Sequence, residues 1–359
     1  FKIPEDKRQL TLDTIITALL VWGIVSSLFV LVGFFIYCQL NKVELPFFPF
    51  ALMSVFQLFF NNFLLLYQVN CRMRSEAKRY FKITMTASLL AIFFSILLVI
   101  VFKFGAVGRM TALLISSFVV GLFSLKKTLS KLRCDWGILK EAVSFGWPVS
   151  TTYIIQYFLV GIDLALLEPL NDIHSMGLYA IAISISGYLS LFYTALAQTF
   201  EPDTYKAVAQ YDYRKIVKIV MLIVSILTAV VLVFVVLAKP VIAILTANRY
   251  TDAYHFARIL SIGVVSSYLM VAIEGIINAF GFTKICLTNK IISSAIAVFL
   301  YIYLINLYGF YGAAWGRVIA PLLVFIAGCV SLILLKNRIK TMRYAEKKDE
   351  SCLDLPFLE

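Results

Sequence analysis

The sequence predicts an all-α, polytopic integral membrane protein: ten transmembrane helices in two pseudo-repeated lobes, four in an incomplete first lobe and six in the second. Three observations predict it. Of 359 residues, 61% are apolar and only 14% charged, whereas a soluble domain carries about 45–50% apolar and about 25% charged residues. The mean hydropathy of +0.91 leaves too little polar material to cover a water-facing surface. Finally, the apolar residues fall in ten runs, each about as long as the roughly 20 helical residues that cross a bilayer core.

In chain order, the first run, 12–38, follows Lys7-Arg8, and the second, 47–68, stops short of the basic stretch Arg72–Lys82. Runs 83–102 and 106–125 are joined by Phe104-Gly105-Ala106-Val107-Gly108. The fifth, 143–167, opens with Gly146-Trp147-Pro148, where a proline in the first turn is tolerated and reads equally as a hinge or a helix start. Runs 176–199 and 216–238 flank Arg214-Lys215, and 256–280 follows. The last two, 285–307 and 311–335, are joined by Tyr308-Gly309-Phe310-Tyr311-Gly312 and end at Lys336. Barrel strands would be about ten residues long with alternating polarity, unlike these uniformly apolar runs.

The connections alternate in charge. One set holds 25 of the 32 basic residues, including Lys2, Lys7, Lys126, Lys127 and Lys290. The other holds six, among them Lys42 and Arg258, and Arg317 lies inside a run. The positive-inside rule places the basic set, and with ten spans both termini, in the cytoplasm. It also accounts for the net charge of +12 without nucleic acid. Cys38, Cys71, Cys134, Cys286, Cys329 and Cys352 are scattered, and His174 and His255 lie far apart. No metal site, cofactor or disulfide framework is expected. No n-region or cleavage site precedes the first apolar run, so no signal peptide is expected there.

The two glycine hairpins are 204 residues apart, and the same shift carries the first four runs onto the last four. Registered runs with matching loop polarity indicate a duplication. The implied organisation is an incomplete N-terminal lobe (1–125), a basic linker (126–142), a six-helix lobe (143–335) and a cytoplasmic tail (336–359). The counterparts of runs five and six would begin about 64 residues before Phe1, so the first lobe is expected to lack two helices. Repeats of the same orientation are related by an axis along the membrane normal.

Ionisable residues inside spans are costly and functional by default. Asp163, Glu274 and Arg317 are the candidates, although Asp163 reads equally as an interfacial carboxylate reaching water. Thr152, Gln156 and Asp163 share one helical face, and Gln57, Asn61 and Gln68 repeat that pattern on run two. Bulky amides suit a wet cavity, whereas Gly187, Ser190, Thr194 and Gln198 on run six read as packing glue. Among absent signals, no G-x-x-x-x-G-K-[ST] motif provides an ATP site. No nucleophile, base and orienting carboxylate are arranged together, and no enzyme is expected.

Phe145-Gly146-Trp147-Pro148, then Asp163, Gly177-Leu178-Tyr179-Ala180-Ile181-Ala182, Glu201-Pro202, Tyr205, Tyr213-Arg214 and Gly312-Ala313-Ala314-Trp315 follow in order. This series resembles the polysaccharide and O-antigen flippases of the multidrug/oligosaccharidyl-lipid/polysaccharide exporter superfamily. Many members carry an arginine directly after the aspartate, where this chain has Leu164. The resemblance implies two lobes around a cavity open alternately to each face of the plasma (inner) membrane. It also implies export of a polyprenyl-diphosphate-linked oligosaccharide for cell-surface polysaccharide or lipopolysaccharide biosynthesis. In that reading Gln57, Asn61, Thr152 and Gln156 meet sugar hydroxyls and Arg317 meets an anionic sugar or the diphosphate. Asp163 or Glu274 would couple turnover to a proton or Na⁺. The competing readings are a drug or cation antiporter of the same superfamily, a glycan polymerase or ligase, and an inactive fragment.

Overall fold

The computed structural model describes residues 5–41, 47–170 and 172–353. Lys2, Lys42 and the last six residues of the tail lie outside them. Among the described residues, ten spans are long and apolar enough to cross a membrane, and all ten coincide with runs anticipated from sequence. The helices are α1 (Glu5–Asn41), α2 (Phe47–Met73), α3 (Ala77–Ser95) and α4 (Gly105–Thr128). They are followed by α5 (Trp136–Val160), α6 (Ile162–Leu167), α7 (Ile173–Ala209) and α8 (Tyr213–Leu245). The last three are α9 (Tyr254–Ala279), α10 (Thr283–Tyr308) and α11 (Phe310–Leu353). A π-helical segment, Ile96–Val101, continues α3.

Local chemistry sets the boundaries. Asp135, Asp172 and Asp212 each sit before a helix and accept from its first backbone N–H groups. Asp135 accepts from Gly137 N at 2.8 Å, Asp172 from Ser175 N at 3.0 Å and Asp212 from Lys215 N at 3.0 Å. Such caps satisfy donors that have no partner within the helix. Hydrogen bonds from Ser175, side chain first and then backbone, hold the Asp172 carboxyl below the usual carboxylate range.

The Asp135 cap starts α5 well before residue 143. Pro148 therefore lies in the helix interior and not in its first turn, correcting the expected helix start. An interior proline removes one backbone hydrogen bond and favours a kink. The span is interrupted a second time at Gly161, which separates α5 from the short α6. Residues 129–135 are the non-helical part of the basic linker.

Cα proximity divides the chain into two units, Phe1–Val143 and Ser144–Glu359. Within the first, α2 packs most closely on α4, and α3 also packs on α4. Within the second, α9 packs most closely on α11, and α10 also packs on α11. These are the helices that the 204-residue shift pairs. The likeness reaches the hairpins, where Gly105 and Gly309 both have φ of +55°, a conformation that favours glycine. The first unit's core includes Leu64, Ile83 and Val120. The second centres on Leu159, Leu167, Tyr179, Tyr301 and Val324. On α8, Ile216, Ile219, Ile223, Leu227 and Val231 are buried at steps of three and four residues, one helical stripe. Many other large apolar side chains point outward, such as Phe29 at 78% and Ile244 at 81% exposed, as a lipid-facing surface requires.

Small residues set the closest approaches. A Cβ on Gly312 would lie 2.0 Å from the Leu304 carbonyl oxygen, so α10 and α11 meet backbone to backbone there, as small residues in membrane helices allow. Gly312→Ala is expected to force them apart and lower unfolding stability in detergent by about 1–3 kcal/mol, the usual range for overpacking. Gly33→Ala, which meets nothing within 4 Å, should leave the unfolding midpoint unchanged or raise it. Equal midpoints for the two variants would refute the close-approach argument.

Candidate functional site

In the second unit, the break at Gly161 places Asp163 in the first turn of α6. Its side chain is fully buried, so the alternative of an interfacial carboxylate reaching water does not hold. Arg317 on α11 meets it through two bonds: Nε donates to Oδ2, and Nη2 donates to Oδ1 at 2.9 Å. This is the fork geometry in which guanidinium and carboxylate bind most strongly. From α7, the Tyr179 hydroxyl donates to Asp163 Oδ2 at 2.5 Å. The residue after Asp163 is Leu164, and the cation that meets the carboxylate comes from α11, 154 residues away.

The surroundings hold the pair in place. Tyr179 is fully buried and packs edge-on against Phe256 and Phe310 at 5.7 and 6.1 Å. Tyr301 on α10 donates to the Leu159 carbonyl at 3.0 Å, tying α10 to the last turn of α5. Beside Arg317, Gly316 leaves room for the Tyr301 ring, which a Cβ would approach to 2.3 Å. The Arg317 side chain keeps 16% of its surface exposed. Its Nη1 makes no hydrogen bond among the described residues, which leaves one donor edge for a ligand.

The second intramembrane carboxylate, Glu274 on α9, also has a partner. Lys290 Nζ on α10 lies 2.6 Å from its Oε1, with Met270 Sδ at 3.9 Å. The sequence groups Lys290 with the loop cations, but the residue is 2% exposed and inside a helix. Arg258, counted with the opposite loops, lies in α9, where its Nε donates to the Val235 carbonyl at 3.0 Å and its guanidinium lies over the Tyr254 ring. Arg109 and Lys239 of the same set likewise lie in helices, α4 and α8.

The polar side chains divide by what they bond. Thr152 is buried and donates to its own helix at Val149 O, 2.6 Å away. Gln68 donates to Thr84 Oγ1 at 3.0 Å, joining α2 to α3. Gln57 and Asn61 on α2 and Gln156 on α5 are half-buried, and their amides bond no side chain or backbone group among the described residues. Sequence reasoning missed Tyr179 and Lys290 as partners, and also Asp13. That residue is 4% exposed and accepts from Ser130 N at 2.9 Å and Lys131 N at 3.3 Å. Asp13 thereby ties α1 to the loop after α4. No group of three metal-binding side chains occurs among the described residues.

A family model described as "Polysaccharide biosynthesis protein" matches residues 4–255. No curated protein sequence matches the chain. Among solved structures, a mutant of the Vibrio cholerae MATE transporter VcmN is 16% identical, with a TM-score of 0.76 over 89% of this chain and 78% of that one. A MATE structure in the straight conformation is 18% identical, with a TM-score of 0.76 over 93% and 79%. An outward-facing multidrug resistance MATE family transporter of the MOP superfamily is 17% identical, with a TM-score of 0.73 over 93% and 79%. At these identities the likeness is one of fold.

Proposed function

The chain belongs to the polysaccharide biosynthesis protein family, and from that premise we propose that it moves a polyprenyl-diphosphate-linked oligosaccharide across the plasma (inner) membrane. Movement proceeds by alternating access, with both termini in the cytoplasm and no chemical transformation of the cargo. The observation that carries this reading is the buried Asp163–Arg317 pair with its one unused guanidinium edge. A buried ion pair adds little net stability over apolar packing, so its retention inside a membrane span points to use.

The pair works as an exchange. An anionic sugar or diphosphate that engages Arg317 competes with Asp163 for the fork. Once its counter-charge is lost, the buried carboxylate is stabilised by taking a proton or another cation. Cargo entry is thereby coupled to uptake of one positive charge at Asp163. The half-buried amides Gln57, Asn61 and Gln156 offer donors and acceptors to sugar hydroxyls, and Thr152 supports its helix.

The fold likeness to multidrug and MATE transporters favours a second reading, a drug or cation antiporter. Two assays separate them. In cells lacking their own exporter of lipid-linked sugar, expression should restore surface polysaccharide. In cells lacking their own drug pumps, it should leave drug sensitivity unchanged. Drug resistance without polysaccharide rescue would reverse the assignment.

A further inference from the structure

Independently of the transport reading, a cavity of about 580 Å³ opens in the first unit where α2 ends, α3 begins and α4 ends. That volume lies within the range of about 300–1,000 Å³ typical of small-molecule sites. Arg74, Arg79, Lys82 and Lys127 line it with one carboxylate, Glu76. Only Arg79 is neutralised, by Glu76 at 2.8 Å. Arg74, Lys82 and Lys127 have no anionic partner among the described residues, and Lys127 leans over the Phe123 ring at 5.9 Å.

The rim is shaped in advance. The turn between α2 and α3 is tight, with Ser75 at φ +57° and Glu76 N bonded to Cys71 O at 2.8 Å. This fixes Arg74 beside the mouth. Deeper in the membrane span the wall turns apolar, at Ile83, Val119, Val120 and Phe123. Val119 and Phe123 are also exposed, at 47% and 49%, so the apolar wall continues onto the exposed surface of α4.

We propose that this cavity is a binding site for the phosphate headgroup of an anionic membrane phospholipid. The cationic rim takes the phosphate, and the apolar wall continues directly onto the path of the lipid's chains. Three helix ends meet on the basic face, which the charge rule places at the cytoplasmic leaflet, where anionic lipids concentrate and attract basic segments. Basic pockets between helices on that side suit such headgroups. A free phosphate would use the rim but gain nothing from the apolar wall, so the amphiphilic lining favours the lipid.

The test is lipid binding by the intact chain in detergent, read by native mass spectrometry during titration with phosphatidylglycerol, phosphatidylcholine or inorganic phosphate. The wild type should bind phosphatidylglycerol at least about tenfold more tightly than phosphatidylcholine, and inorganic phosphate should not displace it. The pair of substitutions Lys82→Gln and Lys127→Gln should remove about tenfold of that affinity, and Lys127→Arg should keep it. Lys126→Gln, adjacent but outside the cavity, should leave binding unchanged. Equal affinity for the two lipids, displacement by inorganic phosphate, or equal losses for Lys126→Gln and the double variant would each overturn the site. Because no lipid-linked sugar enters the assay, its outcome is independent of whether the chain exports one.

Discussion

Arg317→Ala is expected to destabilise the protein by about 3–5 kcal/mol, the effect of stranding a buried charge. Asp163 is 0% exposed and would keep only the Tyr179 hydroxyl as a donor. The loss should appear as a lower unfolding midpoint in detergent, followed by tertiary signals from the second unit. The control is the charge-free pair Asp163→Asn with Arg317→Gln. The Asn oxygen still accepts from Tyr179, the Gln amide still donates, and no charge remains to be stranded. Stability should return to within about 1 kcal/mol of wild type, since well-packed neutral replacements of buried pairs are often neutral. If the single and double variants fell by the same amount, the two residues would not be energetically coupled.

A loss of similar size is expected for Glu274→Ala. It leaves the Lys290 ammonium, 2% exposed, facing Met270 Sδ at 3.9 Å. A thioether accepts weakly and cannot replace a carboxylate. About 3–5 kcal/mol should again be lost, and Glu274→Gln with Lys290→Met should recover most of it. Vesicle transport by the double variant is expected to stay near the wild-type rate, because this pair joins α9 to α10 and its cation is 3% exposed against 16% for Arg317, which leaves no accessible donor edge. A double variant as stable as wild type that no longer transports would move Glu274 back among the coupling groups.

The sequence carried the spans well because a bilayer crossing is a local property. About 20 apolar residues in a row suffice to mark it, and all ten runs are helices. Boundaries were less legible because they depend on single hydrogen bonds. Asp135 extends α5 back to Trp136, and hydropathy does not register such a cap. The break at Gly161 was hidden because residues on both sides are apolar, yet it sets the position of Asp163.

The site was legible as a set of residues but not as a set of partners. Asp163, Glu274 and Arg317 stood out as charges in apolar runs, and each is in an ion pair. Their pairing joins residues 154 and 16 positions apart, and no helical period spans such distances. Lys290 lay close enough to a basic loop to be counted with it, and only its burial shows otherwise. The equal φ of Gly105 and Gly309 shows the opposite case, where a short motif and its spacing already described a shared backbone.

The Asp163–Arg317 pair is expected to serve transport and not architecture. This is tested most directly by following labelled polyprenyl-diphosphate oligosaccharide across vesicles that contain either the wild type or the Asp163→Asn, Arg317→Gln double variant. The double variant is expected to be folded, as stable as wild type, and at least about tenfold slower. A double variant that moves the lipid-linked sugar at the wild-type rate would contradict it.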